Sequence, residues 1–181
     1  MTQSLRGVVA AIATPITQER EPDHARFVKL AKHLLANGCD ALNVLGTTGE
    51  ATSFSLGQRK ALMETAAKEL PREKMMVGTG AASLGDAIDL TKHAGKLGFG
   101  AALVLPPFYY KGVSEEGVFA YIAAIAAATH EERIPIFLYH YPALSGVPYT
   151  PELVGALIGA YGRRVLGVKD SSGDLAYERL L

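Results

Sequence analysis

One cysteine in 181 residues, Cys39, leaves no partner for an internal disulfide and no thiolate cluster for a metal. Such a chain fits a reducing compartment, and Cys39, following Gly38 at the start of an apolar run, reads as a small core side chain rather than a nucleophile. Net charge is missing too. Lys and Arg number 18, as do Asp and Glu, so no polyanion is expected as a partner, nucleic acid included. No apolar stretch is long enough to cross a bilayer, and the alanine-rich run 120–128 falls well short. The N-terminus lacks the basic-then-apolar pattern of a secretory signal. His24, His33, His93, His130 and His140 show no metal-ligand spacing, and only His140 lies near the residues singled out below. These absences predict a soluble cytoplasmic protein without a membrane partner, a metal or a cofactor.

What is present is alternation. Apolar runs beginning near residues 8, 40, 75, 101, 135 and 165 read as strands, and helical patterns separate them. The first run, Val8–Ile16, closes at Thr14-Pro15. Pro22 opens a helical pattern that stops at Asn37-Gly38. Ser55 with Gln58 has capping-box spacing for the next helix, which runs to about Leu70. Leu84–Leu97 is a third helical pattern, stopped by Gly98. Ser114-Glu115-Glu116 and Thr150-Pro151-Glu152 start two further helices, with the acids placed well for the helix dipole. Pro135–Tyr139 is the fifth strand, leaving through His140-Tyr141-Pro142, and Asp174 caps a sixth helix.

A repeat of roughly thirty residues is that of a strand–helix unit, so the fold class is α/β with a parallel sheet. An open doubly wound sheet should carry a glycine fingerprint after its first strand, but the exit there is Ala13-Thr14-Pro15. Gly78-Thr79-Gly80 imitates the fingerprint without its third glycine or an acidic ribose partner. A (β/α)8 TIM barrel explains more, because polar residues gather at the C-terminal ends of several strands. Such a barrel needs ~250 residues. Residues 1–181 are therefore expected to be the N-terminal part of one barrel domain, covering strands one to six without strands seven and eight.

The strand ends carry the chemistry. Val165–Lys169 is an apolar run whose last residue is a lysine. A buried ammonium is costly, so either a partner neutralises it or it sheds the proton and becomes a nucleophile suited to imine formation with a carbonyl. The alternative is a lysine that snorkels to water. Asp170 is a poor partner, since successive strand residues face opposite ways. Gly46-Thr47-Thr48-Gly49 offers amide and hydroxyl donors to a carboxylate, or is a plain glycine turn. Tyr139 is a phenol suited to passing a proton, or an amphipathic core tyrosine. Tyr109-Tyr110 could equally form an oligomer contact, and Glu50 serve as a helix-start charge or an acid.

Gly46-Thr47-Thr48-Gly49-Glu50, Pro107-Phe108-Tyr109-Tyr110, Tyr139 to Gly146 and Gly167 to Asp174 together resemble the dihydrodipicolinate synthase/N-acetylneuraminate lyase family, in order along the whole chain. The resemblance implies a class I lyase or aldolase acting through a lysine imine of pyruvate or a related 2-oxo acid. It implies that Lys169 forms the Schiff base and that Tyr139 shuttles protons. Gly46, Thr47 and Thr48 would hold the 2-oxo acid carboxylate, with Thr47 linking Tyr139 to Tyr109, a tyrosine that family members supply from a neighbouring subunit. It further implies a homodimer or homotetramer.

The departures bear on the substrate. Dihydrodipicolinate synthases have an arginine for aspartate semialdehyde where this chain has Leu144, which is similar to sialic acid lyases and sugar-acid aldolases. Ser171 stands where those lyases have a threonine near the sugar, and His140 departs from both groups. The expected activity is therefore cleavage or formation of a sugar-derived 2-oxo acid, with dihydrodipicolinate synthase as the alternative. A third reading, from another class, is an inactive barrel fragment that serves as an interaction piece.

Overall fold

The computed structural model describes residues 5–181. The elements in chain order are β1 (Val9–Ala11), α1 (His24–Ala36), β2 (Ala41–Val44), α2 (Leu56–Glu69), β3 (Met75–Gly78) and α3 (Leu84–Leu97). They continue with β4 (Ala101–Val104), α4 (Glu115–Ala128), β5 (Ile136–His140), α5 (Pro142–Ser145), α6 (Pro151–Tyr161), β6 (Val165–Asp170) and α7 (Leu175–Glu178). Strand order along the six-stranded sheet follows the chain, β1-β2-β3-β4-β5-β6. The pairs β1–β2, β2–β3 and β5–β6 are parallel.

The chain forms two compact units, Met1–Gly78 with His93–Ala102, and Thr79–Lys92 with Leu103–Leu181. In the first, Phe27 and Ala31 of α1, Leu62, Met63 and Ala66 of α2 and every residue of β2 and β3 are buried. Strands buried on both faces need apolar side chains on both, which is why β3 reads Met-Met-Val-Gly without alternation. Gly78 lets the backbones close up, since a Cβ there would stand 1.9 Å from the Leu45 carbonyl oxygen. In the second unit, Val118, Ile122 and Ile125 of α4, Leu153 and Leu157 of α6, and Ile136 and Leu138 of β5 are buried. The fully buried Tyr149 directs its hydroxyl to the Val104 carbonyl at 3.4 Å.

Local signals decide most boundaries. Ser55 accepts from the Gln58 N–H while the Gln58 side chain accepts from the Ser55 N–H, so the capping box forms as expected. Ser114, Thr150 and Asp174 cap α4, α6 and α7 through their side-chain oxygens. Each such cap stabilises its helix by about 1 kcal/mol.

Four expectations change. β1 ends at Ala11 instead of Ile16, because Pro15 has no N–H for a ladder, and Ile16 turns back to bridge Pro22. Pro22 does not open α1; Asp23 caps it by accepting from the Arg26 N–H at 2.9 Å. Cys39 is half-buried in the turn between α1 and β2, not a core residue. His140 is the last residue of β5 rather than the start of its exit, and a short helix, α5, follows at once.

Candidate active site

At the C-terminal ends of β5 and β6 the parallel register sets Tyr139 opposite Lys169 and His140 opposite Asp170. Alternation along each strand then sends the two pairs to opposite faces. On the first face, Lys169 Nζ lies 3.8 Å from the centroid of the Tyr139 ring and donates to Ser171 Oγ at 2.8 Å. An ammonium over an aromatic face is attracted by the ring quadrupole. The serine is itself pinned, because its N–H donates to the His140 carbonyl at 2.9 Å. Tyr139 is 4% exposed, and Tyr141 tilts against it with ring centroids 5.9 Å apart. The nitrogen is thus gripped by a ring and a neutral hydroxyl. Asp170 faces the other way, as the strand alternation expected.

On the second face, His140 Nδ1 accepts the Tyr149 N–H at 3.0 Å, and Nε2 stands 3.9 Å from Asp170 Oδ1. The imidazole stacks on the Tyr177 ring at 4.0 Å and 12°. Burial draws the His140 imidazole below its ordinary pKa, against the opposing pull of Asp170 and Asp174. Burial first and Asp170 second push the Tyr177 phenol up to about 12. Asp170 accepts the Ser172 N–H and hydroxyl at 3.0 and 2.9 Å. His140, expected near the reactive residues, therefore turns its ring away from them.

Lys111 was passed over as a structural element. Its ammonium donates to the Phe108 and Ser145 carbonyls, tying the β4 exit to the end of α5. Gly146 (φ +66°) leaves it room, since a Cβ there would stand 2.8 Å from the lysine chain. A lysine nitrogen that donates to two backbone carbonyls is occupied by those contacts and is poorly placed to attack a carbonyl. Leu144 on α5 is 59% exposed. Tyr109 and Tyr110 are 71% and 77% exposed and meet edge to face, 5.1 Å apart.

Gly46, Thr47 and Thr48 lie in the first unit, in the turn after β2. The Glu50 N–H donates to the Thr47 carbonyl at 3.0 Å and the Ala51 N–H to that of Gly46 at 3.3 Å. Gly46 is buried, whereas Thr47 and Thr48 are exposed. Glu50 takes a left-handed φ of 51° and makes no side-chain cap. The structure therefore gathers Lys169, Tyr139 and Ser171. Leu144 and Tyr109 lie on separate segments of the same unit. Among the described residues no group of three or more His, Cys, Asp and Glu could hold a metal ion. Nor is any helix among them long and apolar enough to cross a membrane.

The model of the dihydrodipicolinate synthetase family matches residues 4–180. The chain belongs to this family. A protein of Chloroflexus aurantiacus described as an uncharacterized DapA-like lyase is 36% identical over 177 residues, 97% of this chain and 59% of its own length. The N-acetylneuraminate lyase of Escherichia coli strain SE11 is 36% identical over 176 residues, again 97% of this chain and 58% of the relative. Among solved structures, dihydrodipicolinate synthase from Agrobacterium tumefaciens C58 superposes with a TM-score of 0.92 at 33% identity, covering 97% of this chain and 61% of that one. YagE of E. coli K12, solved in complex with pyruvate, gives 0.89 at 28% identity, covering 98% and 58%. The chain thus spans well under two thirds of these family members, and its six strand–helix units carry the expected α/β fold class, a major part of the (β/α)8 barrel.

Proposed function

We propose that the full-length protein is a class I lyase or aldolase in which Lys169 forms a Schiff base with pyruvate or a related 2-oxo acid. The observation that carries this is Lys169 Nζ at the end of β6, 3.8 Å over the Tyr139 ring and donating to a neutral hydroxyl, Ser171 Oγ, at 2.8 Å. The amine adds to the 2-oxo carbon, water leaves, and the protonated imine takes up the electrons of the bond between its α- and β-carbons as the hydroxyl on the β-carbon loses its proton, releasing an aldehyde and leaving an enamine. Tyr139 is the proton carrier in this reading, and Ser171 orients the amine and meets the substrate hydroxyls. Gly46, Thr47 and Thr48 hold the carboxylate, and Tyr109, exposed as a subunit-exchanged residue must be, serves a neighbouring copy in a homodimer or homotetramer. A relative solved with pyruvate bound supports the 2-oxo acid class.

For the substrate, Leu144 supports a sugar-derived 2-oxo acid, since an exposed alkyl chain offers a second carboxylate nothing. The synthase reaction with aspartate semialdehyde is the second reading, favoured by the likeness to the Agrobacterium synthase. Treating the full-length protein with pyruvate and borohydride tests the imine: a reduced adduct on Lys169 is expected. An adduct on Lys111, or none, refutes the assignment.

A further inference from the structure

The geometry points to His140 as a positioning residue that holds Lys169 and its partner Ser171 in register from the far face of β5 and β6. The inference rests on the imine reading above. Its basis is a closed circuit of contacts that starts and ends at the imidazole. His140 Nδ1 accepts the Tyr149 N–H at 3.0 Å, and the Tyr149 carbonyl accepts the Tyr177 hydroxyl at 2.7 Å. The Tyr177 N–H, with that of Ala176, donates to Asp174 Oδ1. The Asp174 N–H donates to Ser172 Oγ at 3.0 Å, whose proton goes to Asp170 Oδ2 at 2.9 Å. Asp170 then returns to His140 across 3.9 Å. Stacking of Tyr177 on the imidazole closes the circuit a second way.

Ser171 sits inside this loop. Its backbone is fixed on one side by the His140 carbonyl and on the other by the Asp170–Ser172 turn, which sets where its Cβ stands and so the reach of its hydroxyl. That hydroxyl is the side-chain partner of Lys169. A displacement on the order of 1 Å in a reacting group can cost about 10²-fold in rate.

The circuit also fixes a protonation state. Because Nδ1 accepts, the proton of the neutral ring resides on Nε2, which faces Asp170. Adding a second proton would set Nδ1–H against the Tyr149 N–H, donor to donor, and break the buried contact. The groups facing the ring are Asp170 from β6, Asp174 from the cap of α7, Tyr177 from α7 and the Tyr149 backbone. Burial outweighs both carboxylates and favours the neutral ring. Acidification therefore opens the latch.

Two variants of the full-length protein test this, His140→Phe and His140→Asn. Phenylalanine keeps the stack on Tyr177 and removes the acceptor; asparagine keeps an acceptor near Nδ1 and does not titrate. Borohydride trapping of pyruvate on Lys169, kcat and KM are measured from about pH 5 to about pH 8. His140→Phe should lower kcat and the trapping rate by roughly tenfold to a hundredfold with a smaller change in pyruvate KM. His140→Asn should recover most of the rate and lose the acid limb that the wild type shows. Wild-type kcat and pH profile in His140→Phe would overturn the proposal, as would a His140→Asn that falls as far and keeps the acid limb. The tautomer is read separately by nitrogen NMR of the imidazole: protonated Nε2 and bare Nδ1 near neutral pH are expected, and the reverse overturns the latch. Failure of the wild type to trap pyruvate while this tautomer is seen would instead refute the imine reading.

Discussion

On one face of the β5–β6 end a lysine lies over a phenol ring, and one residue along each strand, on the other face, an imidazole lies near a carboxylate. In the first pair the lysine nitrogen donates to a neutral hydroxyl, that of Ser171. The second pair is enclosed: the imidazole is stacked and accepts a backbone N–H, and both carboxylate oxygens accept from Ser172. A pair held by a stack and several fixed hydrogen bonds can hold a shape, and a lysine gripped by an exchangeable hydroxyl can react. Lys111 sharpens the contrast within a single residue type. Its nitrogen donates to two backbone carbonyls, those of Phe108 and Ser145, and so joins two segments of the chain.

The largest effect is expected from Lys169→Arg. It keeps a cation over the Tyr139 ring and removes the amine that can form an imine. Pyruvate trapping and turnover should fall to background while thermal unfolding stays cooperative. The matching change at Lys111, Lys111→Met, should leave the adduct on Lys169 and lower the melting temperature. Trapping lost in Lys111→Met and retained in Lys169→Arg would reverse the roles.

Next in size is Tyr139→Phe. The ring that supports Lys169 stays and the hydroxyl goes, so a positioned proton carrier is lost at a cost of roughly 10²–10⁴ in kcat. Thr47→Val should act in the same direction. Normal turnover in Tyr139→Phe would remove Tyr139 from the proton route.

Smaller again is Leu144→Arg. The exposed position on α5 accepts a long side chain without disturbing the core. A guanidinium there offers a bidentate grip to a second carboxylate, and one charged hydrogen bond contributes about 1.5–3 kcal/mol. The ratio of kcat/KM for aspartate semialdehyde condensation over sugar-acid cleavage should rise about tenfold, the factor that ~1.4 kcal/mol gives. An unchanged ratio would mean that Leu144 does not line the acceptor site.

Much of this was legible in the residues, and the reason is range. Ser55 with Gln58, Ser114, Thr150 and Asp174 act on N–H groups two or three positions away, so their helix starts are written locally. The apolar runs mark all six strands for the same reason. Asp23 was masked by the neighbouring Pro22, whose fixed φ suits a helix start although here it serves a bridge. The place of Lys169 beside Tyr139 follows once strands five and six are neighbours in register. His140 is the instructive miss. The alternation that sets Asp170 apart from Lys169 also sets His140 apart from Tyr139, and the signal was there in the period of two. Its partners were not, because Tyr149 and Tyr177 lie 9 and 37 positions further along, the latter on a helix of four residues. Lys111 likewise depends on a carbonyl 34 positions away.

The smallest expected effect is a pH dependence of stability that belongs to the enclosed face. Burial lowers the His140 pKa in the folded protein below its ordinary value of about 6.5. Between the two values the unfolded chain binds a proton at this site that the native protein does not, so stability rises with pH across that window. The contribution is complete above about 6.5 and is lost as pH falls through the lower, folded value. His140→Asn removes this titration and leaves the other histidines as they are. Having lost the stack on Tyr177, the variant should be less stable than the wild type at about pH 8; having no titration there, it should lose less on acidification, so the two denaturant-unfolding curves converge as pH falls. Asp170→Asn should do the opposite. It takes away the larger of the two charges that favour the protonated ring, lowers the folded pKa further and deepens the loss. A difference between wild type and His140→Asn that is constant with pH would show that the imidazole is not held neutral by the fold, and the two faces would no longer differ in the way their contacts imply.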